Sequence, residues 1–122
     1  MDRIRLALAA GIAAFAAALA PQAAGAQAAY PAKPITLVVP AAAGGPTDTV
    51  ARLIAESMGK TLGQSVIVEN IGGAGGTIGM TRVSKAAPDG YTISIYHIAQ
   101  ATHPALYDNL QYDPVSDFDH LG

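Results

Sequence analysis

Along the chain one long apolar stretch comes first, and short apolar blocks separated by glycine and proline follow. Leu6–Ala20 is almost wholly Ala, Leu, Ile and Phe, with Arg3 and Arg5 before it and Pro21 closing it. Ala24-Gly25-Ala26 then supplies small residues. A basic start, an apolar run shorter than the ~20 residues of a bilayer span and a small-residue cleavage region predict a secretory signal peptide and processing region over residues 1–29. The two arginines are not adjacent, so this is not a twin-arginine leader.

After the extended lead-in of Pro31 and Pro34, Ile35–Val39 is a continuous β-rich run, as in a strand buried on both faces. Val50, Leu53, Ile54, Met58 and Leu62 recur at helical spacing and predict the buried side of a helix. Pro46 suits its first turn and Gly63 the position past its end. Ser65–Val68 reads as a second strand. Thr77–Ala87 reads as a shorter helix burying Ile78, Val83 and Ala86/Ala87, and Tyr91–Tyr96 as a third, alternating strand. Pro88-Asp89-Gly90 turns into that strand, and Ala101–Tyr107 reads as a further short helix. From Asn109 the chain turns polar and irregular.

The order is β-α-β-α-β, a mostly parallel α/β unit over residues 30–108 with a polar exit segment over 109–122. Right-handed crossovers place the three strand C-termini on one edge. That edge carries two glycine-rich loops, Pro40–Asp48 and Asn70–Gly76, and the segment His97–Gln100. Ligands of open α/β sheets bind in such a crevice.

Composition narrows what could bind there. Beyond the leader, Lys33, Arg52, Lys60, Arg82 and Lys85 face eight carboxylates, so no basic stripe exists and nucleic acid is excluded as a partner. The chain has no Cys, hence no disulfide, no lipid-bearing cysteine and no thiol nucleophile. His97, His103 and His120 lack metal-ligand spacing, and no Gly-x-Ser-x-Gly elbow is present. Gly44-Gly45-Pro-Thr-Asp48 has no P-loop lysine and sets an acid where a triphosphate would sit. Gly73-Ala-Gly75 begins a dinucleotide fingerprint, but Ile78 stands at its third glycine and the loop follows the second strand. Either loop alone is explained by turn chemistry. Two at one edge point to an anion cradle built from backbone N–H groups and helix ends. An acid–base pair of Asp48 with Glu69 is conceivable. More simply, Asp48 is a first-turn residue that also accepts bonds from a ligand or water, and Glu69 a solvated strand end. Arg52 and Arg82 are read as facing solvent or supporting packing.

Taken in order, Tyr30-Pro-Ala-Lys-Pro-Ile-Thr-Leu-Val-Val-Pro40, Gly44-Gly45-Pro-Thr-Asp48-Thr-Val-Ala-Arg52, Leu62-Gly-Gln-Ser-Val-Ile-Val-Glu-Asn70, Gly73-Ala-Gly-Gly76-Thr-Ile-Gly79, Ala87-Pro-Asp-Gly-Tyr-Thr92 and His103-Pro-Ala-Leu-Tyr107 closely resemble the Bug family. These are periplasmic solute-binding proteins of tripartite tricarboxylate transporters, and the resemblance runs from Tyr30 to Phe118. It implies a lobe of periplasmic-binding-protein type II character and a protein that is no enzyme, needs no cofactor, captures small carboxylates and hands them to a membrane permease. Carried onto this chain, the carboxylate-gripping positions are Ala42, Gly44, Gly45, Thr47 and Asp48 in the first loop and Gly75, Gly76 and Thr77 in the second. His97, Gln100 and Thr102 are added by the segment after the third strand. The chain departs from the family pattern at Ala41 and Ala43, where an aromatic and a proline are usual, at Tyr96–Gln100, where small hydroxyl residues are usual, and at His103, where Asn is common. The expected result is a pocket with less apolar wall and added imidazoles. The family's greater length leads to the expectation of a partial product that lacks the second lobe and binds ligand weakly or not at all. The competing reading is a small secreted α/β enzyme on a carboxylated or phosphorylated substrate, with His97 as base; the plainest is a gene fragment without a function of its own.

Overall fold

The computed structural model describes residues 29–121, and the leader expected over 1–29 lies almost entirely outside them. Three parallel strands, β1 (Ile35–Val39), β2 (Val66–Asn70) and β3 (Thr92–Ser94), form one sheet in the order β2-β1-β3. Helix α1 (Pro46–Leu62) joins β1 to β2, and α2 (Thr77–Ser84) joins β2 to β3 after a 3-10 turn at Ala74–Gly76. Helix α3 (Ala99–Leu106) follows β3. This is the α/β, β-α-β-α-β parallel arrangement read from the sequence.

Local chemistry sets the boundaries. Pro46 occupies the first turn of α1, where its missing N–H costs nothing, and Gly63 ends the helix in the left-handed region at φ 66°. The Gly63 N–H donates to the Gly59 carbonyl at 3.0 Å. β2 runs two residues further than Ser65–Val68, because its register with β1 continues through Val38↔Glu69 and Val39↔Asn70. β3 is shorter than Tyr91–Tyr96, because its pairing with β1 covers only Thr36↔Thr92 to Val38↔Ser94. α2 stops at Ser84 rather than Ala87, and α3 begins at Ala99 rather than Ala101.

The helix faces need correction. The buried stripe of α1 is Asp48, Ala51 and Ala55, while Val50, Leu53 and Ile54 are exposed at 48%, 64% and 39%. Small residues at i, i+3 and i+7 let the helix backbone sit close on β1 and β2, and the bulkier apolar row is left outside. Ala51 and Ala55 pack with Leu37 and Val39, flanked by Val66, Val68, Ile93 and Ile95. On the opposite face α2 buries Gly79 and Met80, not Ile78, which is exposed. Gly79 is required there: a Cβ at this position would stand 2.6 Å from the Ile71 carbonyl oxygen and 3.0 Å from Pro40 Cβ. That close approach seats α2 against both glycine loops.

Candidate functional site

The two loops leave the sheet from one point. The Val39 carbonyl accepts the Ala41 N–H at 2.8 Å and the Ile71 N–H at 2.9 Å. The loops then abut, and a Cβ on Gly72 would stand 3.4 Å from the backbone of Ala41 and Ala42. His97 follows β3 at the same C-terminal edge.

In the first loop Asp48 is the organiser. It is almost fully buried, at 3% exposure. Its Oδ2 accepts the Gly44 N–H at 2.8 Å and Arg52 Nε at 3.1 Å. Its Oδ1 accepts Arg52 Nη2 at 3.0 Å and Asn70 Nδ2 at 3.0 Å. A carboxylate has about four acceptor positions, and all are filled from within the protein. These bonds, that of Arg52 first, then the Gly44 amide and Asn70, hold the Asp48 carboxyl at about 2, well below its usual 3.8. Asn70 Oδ1 in turn accepts Arg52 Nη2 at 3.2 Å. Asp48 therefore braces the loop and has no acceptor left for ligand or water, and Arg52 is part of the brace. The conceivable acid–base pair with Glu69 does not form, since Glu69 is paired separately with Arg82 at 3.1 Å.

The brace spends one of the expected donors and leaves others. The Gly44 N–H, at a residue with φ 81°, turns inward to Asp48. The Gly45 carbonyl accepts both N–H and Oγ1 of Thr49, at 3.0 and 3.1 Å. Among the described residues, the N–H groups of Ala42, Ala43, Gly45, Thr47 and Asp48 have no acceptor. The last three belong to the first turn of α1, where unpaired donors and the positive end of the helix dipole coincide.

The second loop is left-handed through three successive residues, Ala74 (φ 46°), Gly75 (φ 64°) and Gly76 (φ 99°), after Gly73 at φ 113°. For Ala74 this conformation costs on the order of 1 kcal/mol. Such a run curls the chain so that successive N–H groups face one side. The Gly76 N–H is used within the turn, donating to the Gly73 carbonyl at 2.9 Å. The N–H and Oγ1 of Thr77 both go to the Ala74 carbonyl. Those of Gly72, Gly73, Ala74 and Gly75 have no acceptor among the described residues. The expected donors Gly76 and Thr77 are thus committed to loop structure, and the free ones lie just before them.

Behind this loop stands a cluster that local sequence patterns did not bring together. The Gly75 carbonyl accepts a short hydrogen bond from the Tyr96 hydroxyl and faces His103 Nε2 at 3.2 Å. His103 Nδ1 meets the Tyr112 hydroxyl. Tyr107 stands edge-on to the His103 ring at a centroid distance of 5.5 Å. His103 is buried and adds no imidazole to the pocket. His97 is exposed; its Nδ1 accepts the Ala99 N–H at 3.3 Å and its ring leans on Tyr96. Among the described residues no carboxylate bonds to it, so nothing orients it as a base. The Thr102 hydroxyl donates to the Ala99 carbonyl at 2.9 Å on the exposed side of α3. Gln100 lines a groove of about 820 Å³ beside β3, with Met80 and Ser94. The structure thus brings the two glycine loops together, while Gln100 and Thr102 bond within their own segment, to the His97 and Ala99 carbonyls. No group of three or more potential metal ligands occurs among the described residues.

An open parallel sheet with two glycine-rich loops abutting at its C-terminal edge defines an α/β lobe rimmed by unbonded backbone N–H groups. Residues 50–122 match the family model described as the tripartite tricarboxylate transporter family receptor, and the chain belongs to that family. The resemblance to the Bug proteins is borne out. The chain is 59% identical over 106 residues to a UPF0065 protein from the TAR-I ttuE-ttuC' intergenic region of Agrobacterium vitis, covering 87% of this chain and 31% of that protein. Among solved structures it resembles the periplasmic binding protein BugD, with a TM-score of 0.71 and 58% identity over 73% of this chain and 30% of that one. It also resembles MatC from Rhodopseudomonas palustris with bound malate, with a TM-score of 0.70 and 52% identity over 73% of this chain and 31% of that one. The chain therefore spans less than a third of the length of each of these relatives.

Proposed function

We propose that this chain supplies the carboxylate-gripping edge of a periplasmic solute receptor, exported by its leader, that hands a small di- or tricarboxylate, amino acid or aromatic acid to the membrane permease of a tripartite tricarboxylate-type transporter. It needs no cofactor and performs no chemistry on the ligand. The observation that carries the reading is the pair of abutting loops whose free donors are backbone N–H groups, with no Lys or Arg within either loop. Saturation of Asp48 removes the nearest negative charge from competition with an anionic ligand. MatC, similar over the same lobe, holds malate, a dicarboxylate.

The test is a titration of the chain with malate, citrate, glutamate and nicotinate, followed by amide chemical shifts, with inorganic phosphate as control. Saturable shifts at Ala42–Asp48 and Gly72–Gly75 with carboxylates, weaker with phosphate, are expected. Shifts elsewhere, or a preference for phosphate, would overturn the reading. Turnover of a ligand that disappears in His97→Ala would replace it with the enzyme reading.

A further inference from the structure

The contacts that hold the second glycine loop from behind converge on His103. Its side chain is buried, with 2% of the residue exposed, and it reaches Gly75 across 28 residues of sequence. The Gly75 carbonyl can only accept, so a hydrogen bond from Nε2, 3.2 Å away, requires the hydrogen on that nitrogen. In the neutral ring Nδ1 is then an acceptor, and the Tyr112 hydroxyl beside it donates. Burial pushes the Tyr112 phenol up, which keeps that proton in place. Tyr96, whose hydroxyl also lies 3.3 Å from Nε2, donates to the remaining lone pair of the same carbonyl. Tyr107 closes the cage, since a Cβ on Gly75 would stand 2.6 Å from its hydroxyl.

We propose that His103, held as its Nε2–H tautomer by Tyr112, is a positioning residue for anion recognition. It pins the Gly75 carbonyl into the protein and so keeps that oxygen from turning toward the neighbouring unbonded N–H groups of Gly72–Gly75. The inference rests on reading the loops as a carboxylate site. Its physical basis is the conformation of the loop. Gly75 and Gly76 have no Cβ to resist a flip of the peptide between them, and within the loop it is held by one bond, from the Gly76 N–H to the Gly73 carbonyl at 2.9 Å. A flipped unit would turn its carbonyl oxygen outward and oppose an anion where the N–H groups attract one. The bonds from Tyr96 and His103 to that oxygen add to the Gly76 N–H bond in opposing the flip. No ligand contact by His103 is required.

Long-range proton–nitrogen correlation of the imidazoles in the full, isotope-labelled chain reads the tautomer directly. A single Nε2–H form for His103 is expected, becoming a mixture in Tyr112→Phe. An Nδ1–H form or a mixture in the unmodified chain would overturn the proposal. Malate titration at the Gly72–Gly75 amides gives the second measurement. His103→Gln, whose amide nitrogen reaches the place of Nε2, stays within about threefold of the unmodified affinity, whereas His103→Leu loses roughly tenfold, the scale of one hydrogen bond. Equal losses in Gln and Leu would show that ring volume, not the donor, is needed, and would overturn it. If the unmodified chain does not respond to malate, the carboxylate reading falls and takes the anion role with it. The tautomer spectra then still decide whether the clamp on Gly75 stands. If His103→Leu does not fold, the tautomer and the Gln variant decide.

Discussion

The first glycine loop is held by an ion pair at the rim of the fold, and the second by aromatic and imidazole rings packed beneath it. In the first, the buried Asp48 carboxylate gathers Gly44, Asn70 and Arg52, whose own side chain is 56% exposed. In the second, Tyr96 and His103 bond one carbonyl, and Tyr112 bonds the far nitrogen of His103. Both devices achieve the same thing: each commits an oxygen of its loop to the protein and leaves main-chain N–H groups over. They differ in what disturbs them. A carboxylate brace answers to acid, because protonation removes its charge and an acceptor. A ring cage answers to packing and to tautomer. Salt weakens the first only in part, since its hydrogen bonds persist after the exposed guanidinium is screened.

The strongest way to break both at once is through the element they share. Gly79 of α2 lies against Ile71 and Pro40, at the roots of the two loops. Gly79→Val places side-chain atoms against backbone that cannot yield without moving both loops. Overpacking of this kind costs about 1–3 kcal/mol, and the value here is expected at the upper end. Urea unfolding should show a lower midpoint at an unchanged slope. An unchanged midpoint would mean that α2 is not seated as described.

Next in size is Asp48→Asn, which acts on the first loop alone. It keeps the shape but turns an NH2 group toward donors from Gly44, Arg52 and Asn70, so donors meet donors. Amide exchange should rise at Gly44 and stay unchanged at Gly75. The acid response gives the sign. The Asp48 carboxyl sits at about 2 in the fold against 3.8 ordinarily. Its contribution is complete above pH 3.8, is lost as the pH falls, and is gone below about 2. Asp89 and Asp113 are lowered too and act in the same direction. The measurement is therefore the difference between the unmodified chain and Asp48→Asn between pH 5 and 2, a window set by the 3.8 and about 2 of this group. A difference that does not shrink on acidification would contradict the brace.

These two regions also mark what was legible in the sequence. The strands, the parallel order and the glycine loops follow from local signals: a β-rich run at Ile35–Val39, Pro46 and Gly63 around a helix, glycines where φ is positive. The helix faces did not follow, because hydropathy ranks Leu53 above Ala51, while burial on a close-packed sheet selects the smaller residue. The brace of the first loop was half visible. Asp48 and Arg52 stand four apart on one helix, but Asn70 joins them only through the β1–β2 register. The cage of the second loop was not visible at all. His103 and Tyr107 reach Gly75 from beyond β3, and Tyr112 reaches His103, in segments whose own pattern reads as a short helix and a polar exit. Tyr112, buried and aimed at His103, gives that exit segment a structural role that its polarity conceals.

A smaller effect of opposite sign tests the strain in the second loop. Ala74 holds φ 46° without the freedom of glycine. Ala74→Gly removes that steric cost and adds back some unfolded-chain entropy, for a net gain of up to about 1 kcal/mol. The Tm should rise slightly. A fall would mean that the Ala74 methyl group makes contacts worth more than the strain.

The smallest expected effect isolates what makes the Asp48 brace matter. The same helix carries a second acid–base pair at the same spacing, Glu56 with Lys60 at 2.6 Å, an ion pair shorter than that of Asp48 with Arg52 at 3.0 Å. Distance alone would rank it first. Its side chains, however, are 65% and 75% exposed, and neither holds a loop amide or a neighbouring strand. An exposed i,i+4 pair contributes about 0.3–0.5 kcal/mol at low salt and less when screened. Glu56→Gln should therefore move the urea midpoint barely beyond error, and added salt should erase even that. Asp48→Asn should keep most of its effect in salt, because what it loses is the set of buried donors gathered on the carboxylate. Were the two substitutions to cost the same, the first loop would be held by helix electrostatics in general, and the contrast with the ring cage of the second would collapse.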